Sequence, residues 1–346
     1  MNAADHPELP LSAAATERQR LALRFGWLAL AVVVSALLSL YVGRGDLADA
    51  ALGARFMSLR AHRSAVAFLA GAALSASGVI MQGLFRNPLA SPSILGTTAG
   101  AQLGGELMLI TLYVLLGNRA PAGLSAEMFT PIGCVLGSLA SLVVVLLLTP
   151  LRASTVSLLL TGFLFSSLFG SMSALLKSLV QETWQLTRVL NTLSLGSVSG
   201  AGPKQLALAA VLVLGALAPA WLWWRELDML MSGEEEAASL GVDVPRLRAW
   251  CVIWTAVLTS GAVAVGASVP FVGLIVPHGL RRLFGEGHRW LIPAAFLGGG
   301  LFLLWCDVLC RALPLTHELP LSVVTALIGV PVFLRLLTQL ERGGDA

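Results

Sequence analysis

Charge is what this chain has least of. Of its 346 residues only 12% are Asp, Glu, Lys or Arg, while 56% are hydrophobic, and the mean hydropathy is +0.83. A soluble domain carries roughly twice that charged fraction, so a soluble fold is excluded. Strict alternation of apolar and polar residues is also missing, which excludes a membrane β-barrel. The apolar residues instead run in long continuous stretches, the signature of membrane-crossing helices. The expected fold is all-α and membrane-integral. A bundle of many helices is one unit, so one domain is expected despite the length.

Further absences narrow the function. There is no phosphate-cradling G-x-x-x-x-G-K-[ST] loop: Lys177-Ser178 follows Leu176 where that loop needs glycine. There is no H-E-x-x-H, no Cys-x-x-Cys and no nucleophile elbow. The chain is therefore expected to be no enzyme, and any energy source must be another chain. The four cysteines, Cys134, Cys251, Cys306 and Cys310, lie inside apolar runs and read as buried free thiols. Cys306 and Cys310 have Asp307 beside them but too few ligands for a metal, so no metal or cofactor is expected on this chain. The net charge of +3 is carried by arginines spread singly, which excludes a nucleic-acid surface. No short apolar core with a small-residue cleavage site follows the polar first 24 residues, so no cleavable signal is expected.

About ten apolar windows can be drawn: 25–42, 65–84, 94–116, 129–148, 156–179, 206–224, 249–267, 271–284, 291–309 and 319–337. The fifth and eighth look short or broken. The resulting division is a tail at 1–24, a ten-helix domain at 25–340 and a second tail at 341–346. With the N-terminus in the cytoplasm, 13 of the 22 Lys and Arg residues fall on the inner side, a modest positive-inside bias. Both termini are then cytoplasmic. Small residues punctuate the windows, as at Gly71-Ala72-Ala73, at Gly96, Gly100 and Gly104, and at Gly298-Gly299-Gly300. They read mainly as sites where helix backbones approach closely.

Two polar segments interrupt the apolar pattern with purpose. The first, Phe85-Arg86-Asn87-Pro88-Leu89-Ala90-Ser91-Pro92, is a hinge with two prolines between membrane-competent helices, placed where a path could be gated. The second is the longest inner loop, 225–248. Ser232 is a fair N-cap there, Glu234 to Glu236 suit a first helical turn, Gly241 a C-cap, and Pro245 opens the next helix. Met229, Leu230, Met231 and Leu240 offer apolar handles, which favours a protein partner over a solvated loop.

Along nearly its whole length the sequence resembles the FecCD family, permease subunits of bacterial ATP-binding-cassette importers for iron–siderophores, haem and vitamin B12. The resemblance rests on Ser77-Gly78 with Met81-Gln82, the hinge from Phe85 to Pro92, and Leu95-Gly96. It continues through Gly233-Glu234-Glu235 with Ala238, Leu240-Gly241-Val242, and Phe271 to His278. Asp307, Arg311, Glu318-Leu319-Pro320 and Val324 to Pro331 complete it. What it implies is a vitamin B12 permease-like bundle of the type II importer class. Such a bundle works as a homodimer with two ATPase chains, which carry ATP and magnesium, and with a periplasmic substrate-binding protein, in the bacterial inner membrane.

By the same resemblance, Asn87 and Leu89, with Ser154 and Thr155, form the cytoplasmic gate. Ser232, Gly233, Glu234, Glu235, Ala238, Leu240 and Gly241 form the ATPase-coupling loop. Arg60, Arg63 and Arg311 are implied to receive glutamates of the binding protein, as guanidinium forks do. Glu106, a charge inside the third window, is a candidate lining of the path. Lys177, Glu182 and Arg188 could frame the substrate's approach, although a solvated outer loop is the favoured account. His62 and His317 could ligate haem, but read more simply as surface histidines. The implied cargo is an iron chelate, with cobalamin as the alternative. An ion-driven secondary transporter would call for paired midplane carboxylates, and Glu106 alone is thin support for that.

Overall fold

The computed structural model describes residues 11–43, 52–93, 96–116, 129–148, 155–266, 268–313 and 319–344. Thirteen α-helices and no strand occur among the described residues. They are α1 (Leu11–Ser39), α2 (Gly53–Leu84), α3 (Thr97–Leu116), α4 (Thr130–Leu148), α5 (Thr155–Leu179), α6 (Trp184–Leu195), α7 (Pro203–Leu222), α8 (Trp224–Leu230), α9 (Glu234–Ser239), α10 (Val244–Ala264), α11 (Val272–Phe284), α12 (His288–Ala312) and α13 (Leu321–Gly344). Seven are long and apolar enough to cross a membrane, and stretches of α4 and α13 are shorter apolar segments. Each of the ten windows overlaps one of α1–α5, α7 and α10–α13, so the chain is a multi-pass membrane protein.

α2 is the axis of the bundle. Of its most apolar window 89% is buried, against 6% for α1 and 11% for α5. It can be central because its packing face is small: a Cβ at Gly71 would lie 2.2 Å from the Gly299 carbonyl oxygen, and one at Gly78 only 1.9 Å from that of Gly273. α12 and α11 therefore touch α2 backbone to backbone, the arrangement small residues permit where lipid offers no hydrophobic drive. α3 and α4 repeat the device, with a Cβ at Gly137 falling 2.2 Å from the Gly100 oxygen. The core then spreads from α2 to α7, α8, α10, α11 and α12. All four cysteines are buried free thiols.

Two elements depart from the sequence reading. Arg188, expected in a solvated outer loop, lies on the amphipathic helix α6, whose Leu186, Leu190 and Leu193 pack with Leu109 of α3. Leu230, expected as an exposed handle, is fully buried at the end of α8.

Candidate functional site

The hinge begins where α2 stops. The N–H of Asn87 donates to the Gln82 carbonyl at 3.1 Å and that of Arg86 to Gly83 at 3.2 Å, which is a Schellman termination. Glycine usually occupies its left-handed position; here Arg86 does, at φ 48°. A non-glycine residue held there costs about 1–3 kcal/mol, so the surroundings must fix it. The next turn is closed by Asn87 itself, whose Oδ1 accepts the Leu89 N–H at 2.9 Å. Asn87 and Leu89 are half-buried and Ala90 is fully buried. The chain then anchors inward: Thr97 Oγ1 donates to the Pro92 carbonyl (2.7 Å), and Ser166 of α5 to that of Ser93 (3.3 Å). Ser154 lies outside the described residues, and Thr155 is the first residue of α5, with its side chain outside them. The second expected constriction is therefore not described.

Gln82, one turn before the hinge, was quoted above only as part of a motif. It is buried, accepts from Arg281 at 2.7 Å and reaches the Gly273 and Leu274 carbonyls at 3.4 Å, so it stitches α2 to both ends of α11.

Beside the hinge stands the acidic loop. α9 starts at Gly233, not Ser232 as expected: the N-cap backbone has φ 135°, ψ 156°, which glycine alone adopts freely. Its end is as expected, with Gly241 left-handed (φ 90°) and Val242 N–H donating to the Ala237 carbonyl at 3.0 Å. Asp243 caps α10, accepting from the Arg246 N–H at 3.1 Å. Ala237 plugs into the core while Glu234, Glu235, Ala238 and Leu240 stay exposed, together with Met229 and Met231. The result is a short helix standing on one buried alanine with an acidic and apolar outer side. Glu234 is its internal tether: Oε1 lies 2.8 Å from Arg248 of α10 and 3.9 Å from Arg86 of the hinge.

At the opposite end Arg60, Arg63 and Arg311 come together, but their guanidinium groups turn inward. Arg60, nearly buried, donates to the Leu40 and Gly43 carbonyls at 3.0 Å. Arg311 donates to Ser39 and Val42 at 3.3 Å. These carbonyls close the end of α1, where helices leave acceptors unsatisfied. Asp307, fully buried, takes Arg63 at 2.8 Å and Arg311 at 3.0 Å. Arg63 keeps the most exposed side chain of the two, at 15% against 4%. His62 contacts the Ala201 carbonyl at 2.8 Å, and His317 lies outside the described residues.

Glu106 does not face open space. It is fully buried and 3.2 Å from Lys177 Nζ of α5, with Gln102 and Ser194 each donating to Oε1 at 3.1 Å. Lys177 also bonds Ser194, and Ser268 donates to Gln102 at 3.3 Å. This node joins α3, α5, α6 and the segment after α10. A cavity of about 280 Å³, lined by Leu109, Thr130, Arg188, Leu193 and Gln205 among others, lies beside it.

Comparison with known proteins gives one consistent picture. The sequence pattern of the FecCD transport family matches residues 21–339. The hemin transport system permease protein HmuU of Yersinia pestis is 36% identical over 285 residues, covering 82% of this chain and 83% of that one. The cobalamin import system permease protein BtuC of Halobacterium salinarum is 32% identical over 316 residues, covering 91% and 80%. Among solved structures, a proposed metal-chelate type ABC transporter in an inward-facing conformation superposes with a TM-score of 0.77 at 31% identity, over 93% of this chain and 99% of the other.

Proposed function

This chain belongs to the FecCD transport family, and on that premise we propose that its cargo as an importer permease is an iron chelate, a ferric siderophore or haem. The chain is a membrane-spanning permease subunit of an ATP-binding-cassette importer and is not itself an enzyme. It therefore works with an ATPase and with a substrate-binding protein. The finer assembly is part of the proposal: two copies of this chain, two ATPases that carry the ATP and magnesium, a binding protein outside, and both termini inside a bacterial inner membrane.

The observation that carries the mechanism is Glu234. It puts α9, whose exposed acidic and apolar side suits a groove on the ATPase, within reach of Arg86 at the head of the hinge. Closure of the ATPases moves α9; the hinge, with Asn87 and Leu89 at its tip and Thr155 at the start of α5, narrows or opens the path. α5 exposes Leu160, Phe163, Leu164, Leu168 and Leu175, a stripe suited to the second copy across that path. On the outer end, Arg63 offers the first contact for a carboxylate of the binding protein, with Arg60 and Arg311 behind it.

Cobalamin is the second reading, favoured by likeness to the Halobacterium salinarum permease. The deciding experiment is ATPase stimulation and uptake in proteoliposomes holding this chain, its ATPase and its binding protein, against a panel of ferric siderophores, haem and cobalamin. Stimulation and uptake with a ferric chelate support the proposal. Response to cobalamin alone transfers the assignment, and uptake by this chain with only an ion gradient refutes the importer mechanism.

A further inference from the structure

A cluster of tryptophan and arginine sits at the hinge end of the bundle, on α8, which packs against α9 and α2, and on the start of α12, where His288 reaches Gly83 at the end of α2. α7 ends in Trp221-Leu222, α8 begins with Trp224-Arg225, and α12 begins with His288-Arg289-Trp290. Arg225 Cζ lies 5.2 Å from the centre of the Trp224 ring and Arg289 Cζ 5.4 Å from the same ring. Arg289 is also 4.9 Å from the Trp290 ring. Two cations thus share one indole, at distances where ring quadrupole and guanidinium attract.

The cluster is held in place. Asp228 Oδ1 accepts both the backbone N–H of His288 (2.8 Å) and contacts its ring Nδ1 (2.6 Å), which locks the start of α12 to α8. Trp221 Nε1 donates to the Arg289 carbonyl at 2.9 Å. Trp290 rests against Phe25 of α1, 6.0 Å between ring centres. These contacts use the backbone and the rings and leave the guanidinium groups outward. Arg225 and Arg289 are both exposed, and neither has a carboxylate oxygen within 4.0 Å among the described residues. Asp228 is taken by His288, and the nearer acidic neighbour in sequence, Glu226, is half-buried.

Two charges without a carboxylate partner, on a fixed aromatic platform where the largely exposed apolar helix α7 ends, fit one kind of ligand. Trp221 and Leu222, which end α7 next to Trp224, are exposed apolar side chains. Tryptophan rings settle at the headgroup level of a bilayer, which places the two guanidinium forks beside phosphate diesters. A phosphate accepts bidentate hydrogen bonds from arginine. We propose that Arg225, Arg289 and Trp224 form a binding site for the headgroup of an anionic phospholipid at the inner surface of the membrane. The site rests on the reading of α7 and α12 as membrane-spanning and not on the identity of the cargo.

The test uses the assembled importer in phosphatidylcholine nanodiscs with a minor fraction of spin-labelled phosphatidylglycerol, reading the immobilised lipid by electron paramagnetic resonance. The wild type prefers phosphatidylglycerol over spin-labelled phosphatidylcholine. Arg225→Gln with Arg289→Gln lowers that preference about 10-fold to 30-fold, since each interfacial basic residue contributes about one kcal/mol. Trp224→Leu, which keeps both charges, lowers it a few-fold. No preference in the wild type overturns the proposal, as does an unchanged preference in the double variant. Displacement of the labelled lipid by inorganic phosphate also overturns it, because the site would then serve a free anion. A complex that keeps the preference but moves no chelate leaves this site standing while the cargo assignment falls.

Discussion

Removing the Lys177 charge is expected to cost more than removing that of Glu106, although the two form one pair. Glu106 is wholly buried, whereas Lys177 retains 20% of its side-chain exposure. In Lys177→Met the carboxylate stays inside with only Gln102 and Ser194 to solvate Oε1, and its Oε2 has no hydrogen-bond partner. Breaking a buried pair from one side costs about 3–5 kcal/mol. In Glu106→Gln the amide keeps a hydrogen-bonding neighbour set, and the lysine can turn toward its exposed side, so the loss is about 1–2 kcal/mol. Replacing both, Glu106→Leu with Lys177→Met, removes the uncompensated charge and is expected to lie within about 1–2 kcal/mol of the wild type. The four buried free thiols supply the assay. A thiol-reactive fluorogenic dye reports their exposure as purified protein is heated, and Lys177→Met should show a midpoint lower by on the order of 10 °C. A Lys177→Met midpoint equal to wild type, or a double variant no better than Lys177→Met, refutes the reasoning.

Other expectations follow from single distances. Gly78→Ala, whose Cβ would stand 1.9 Å from the Gly273 carbonyl oxygen, forces α2 from α11 and should lose about 1–3 kcal/mol or more in the same assay; Gly215→Ala, with nothing within 4 Å, should be neutral or slightly stabilising. Arg86→Gln should lower the substrate moved per ATP hydrolysed in proteoliposomes several-fold while ATPase assembly in pull-downs is kept, and Glu234→Gln should lower it further because it releases Arg248 as well. Equal coupling ratios in wild type and both variants would remove Glu234 from the mechanism. Arg63→Glu should abolish stimulation by the binding protein and also lower the melting midpoint, since it sets a second carboxylate against the buried Asp307, whereas Arg63→Lys should lose stimulation with a smaller melting loss.

The membrane-crossing helices were legible because long apolar windows leave the backbone no alternative: in lipid it must satisfy its own hydrogen bonds. α6 was not, because its 12 residues are too short and too polar for such a window, and its stability comes from Leu186, Leu190 and Leu193 meeting a helix some eighty residues earlier. The same distance hid the polar pairs. Glu106 could be seen as a costly charge in an apolar run, but nothing local says that Lys177 will meet it, nor that Arg281 will meet Gln82. The α9 boundary shows a smaller version of this. Ser232 is a good cap by residue type, and Gly233 takes the position because the backbone there needs φ 135°. Gly241 was readable, since it ends its helix by local geometry alone.

The outer arginines bear on how a docking surface can exist in a protein that must also be stable without its partner. Three guanidinium groups gathered at one end of the bundle would repel one another if left bare. Asp307 sits between Arg63 and Arg311 at zero exposure and offsets two of them, while the carbonyls ending α1 take donors of Arg60 and Arg311 and Ser64, paired with Ser39, takes another of Arg311. Arginine has five donors in a rigid fork, so a carboxylate that holds Nε also fixes the direction of the terminal nitrogens. The Arg63–Asp307 contact is made through Nε. Asp307 thus acts as the brace that aims the fork, holding Arg63 by Nε. Asp307→Asn separates this from a purely structural carboxylate. It keeps an acceptor for Nε but loses the charge, so a brace predicts weaker docking of the binding protein that Arg63→Lys, lacking the fork, reproduces. If Asp307→Asn lowers only the melting midpoint and leaves docking affinity and its salt dependence unchanged, the carboxylate serves the bundle alone.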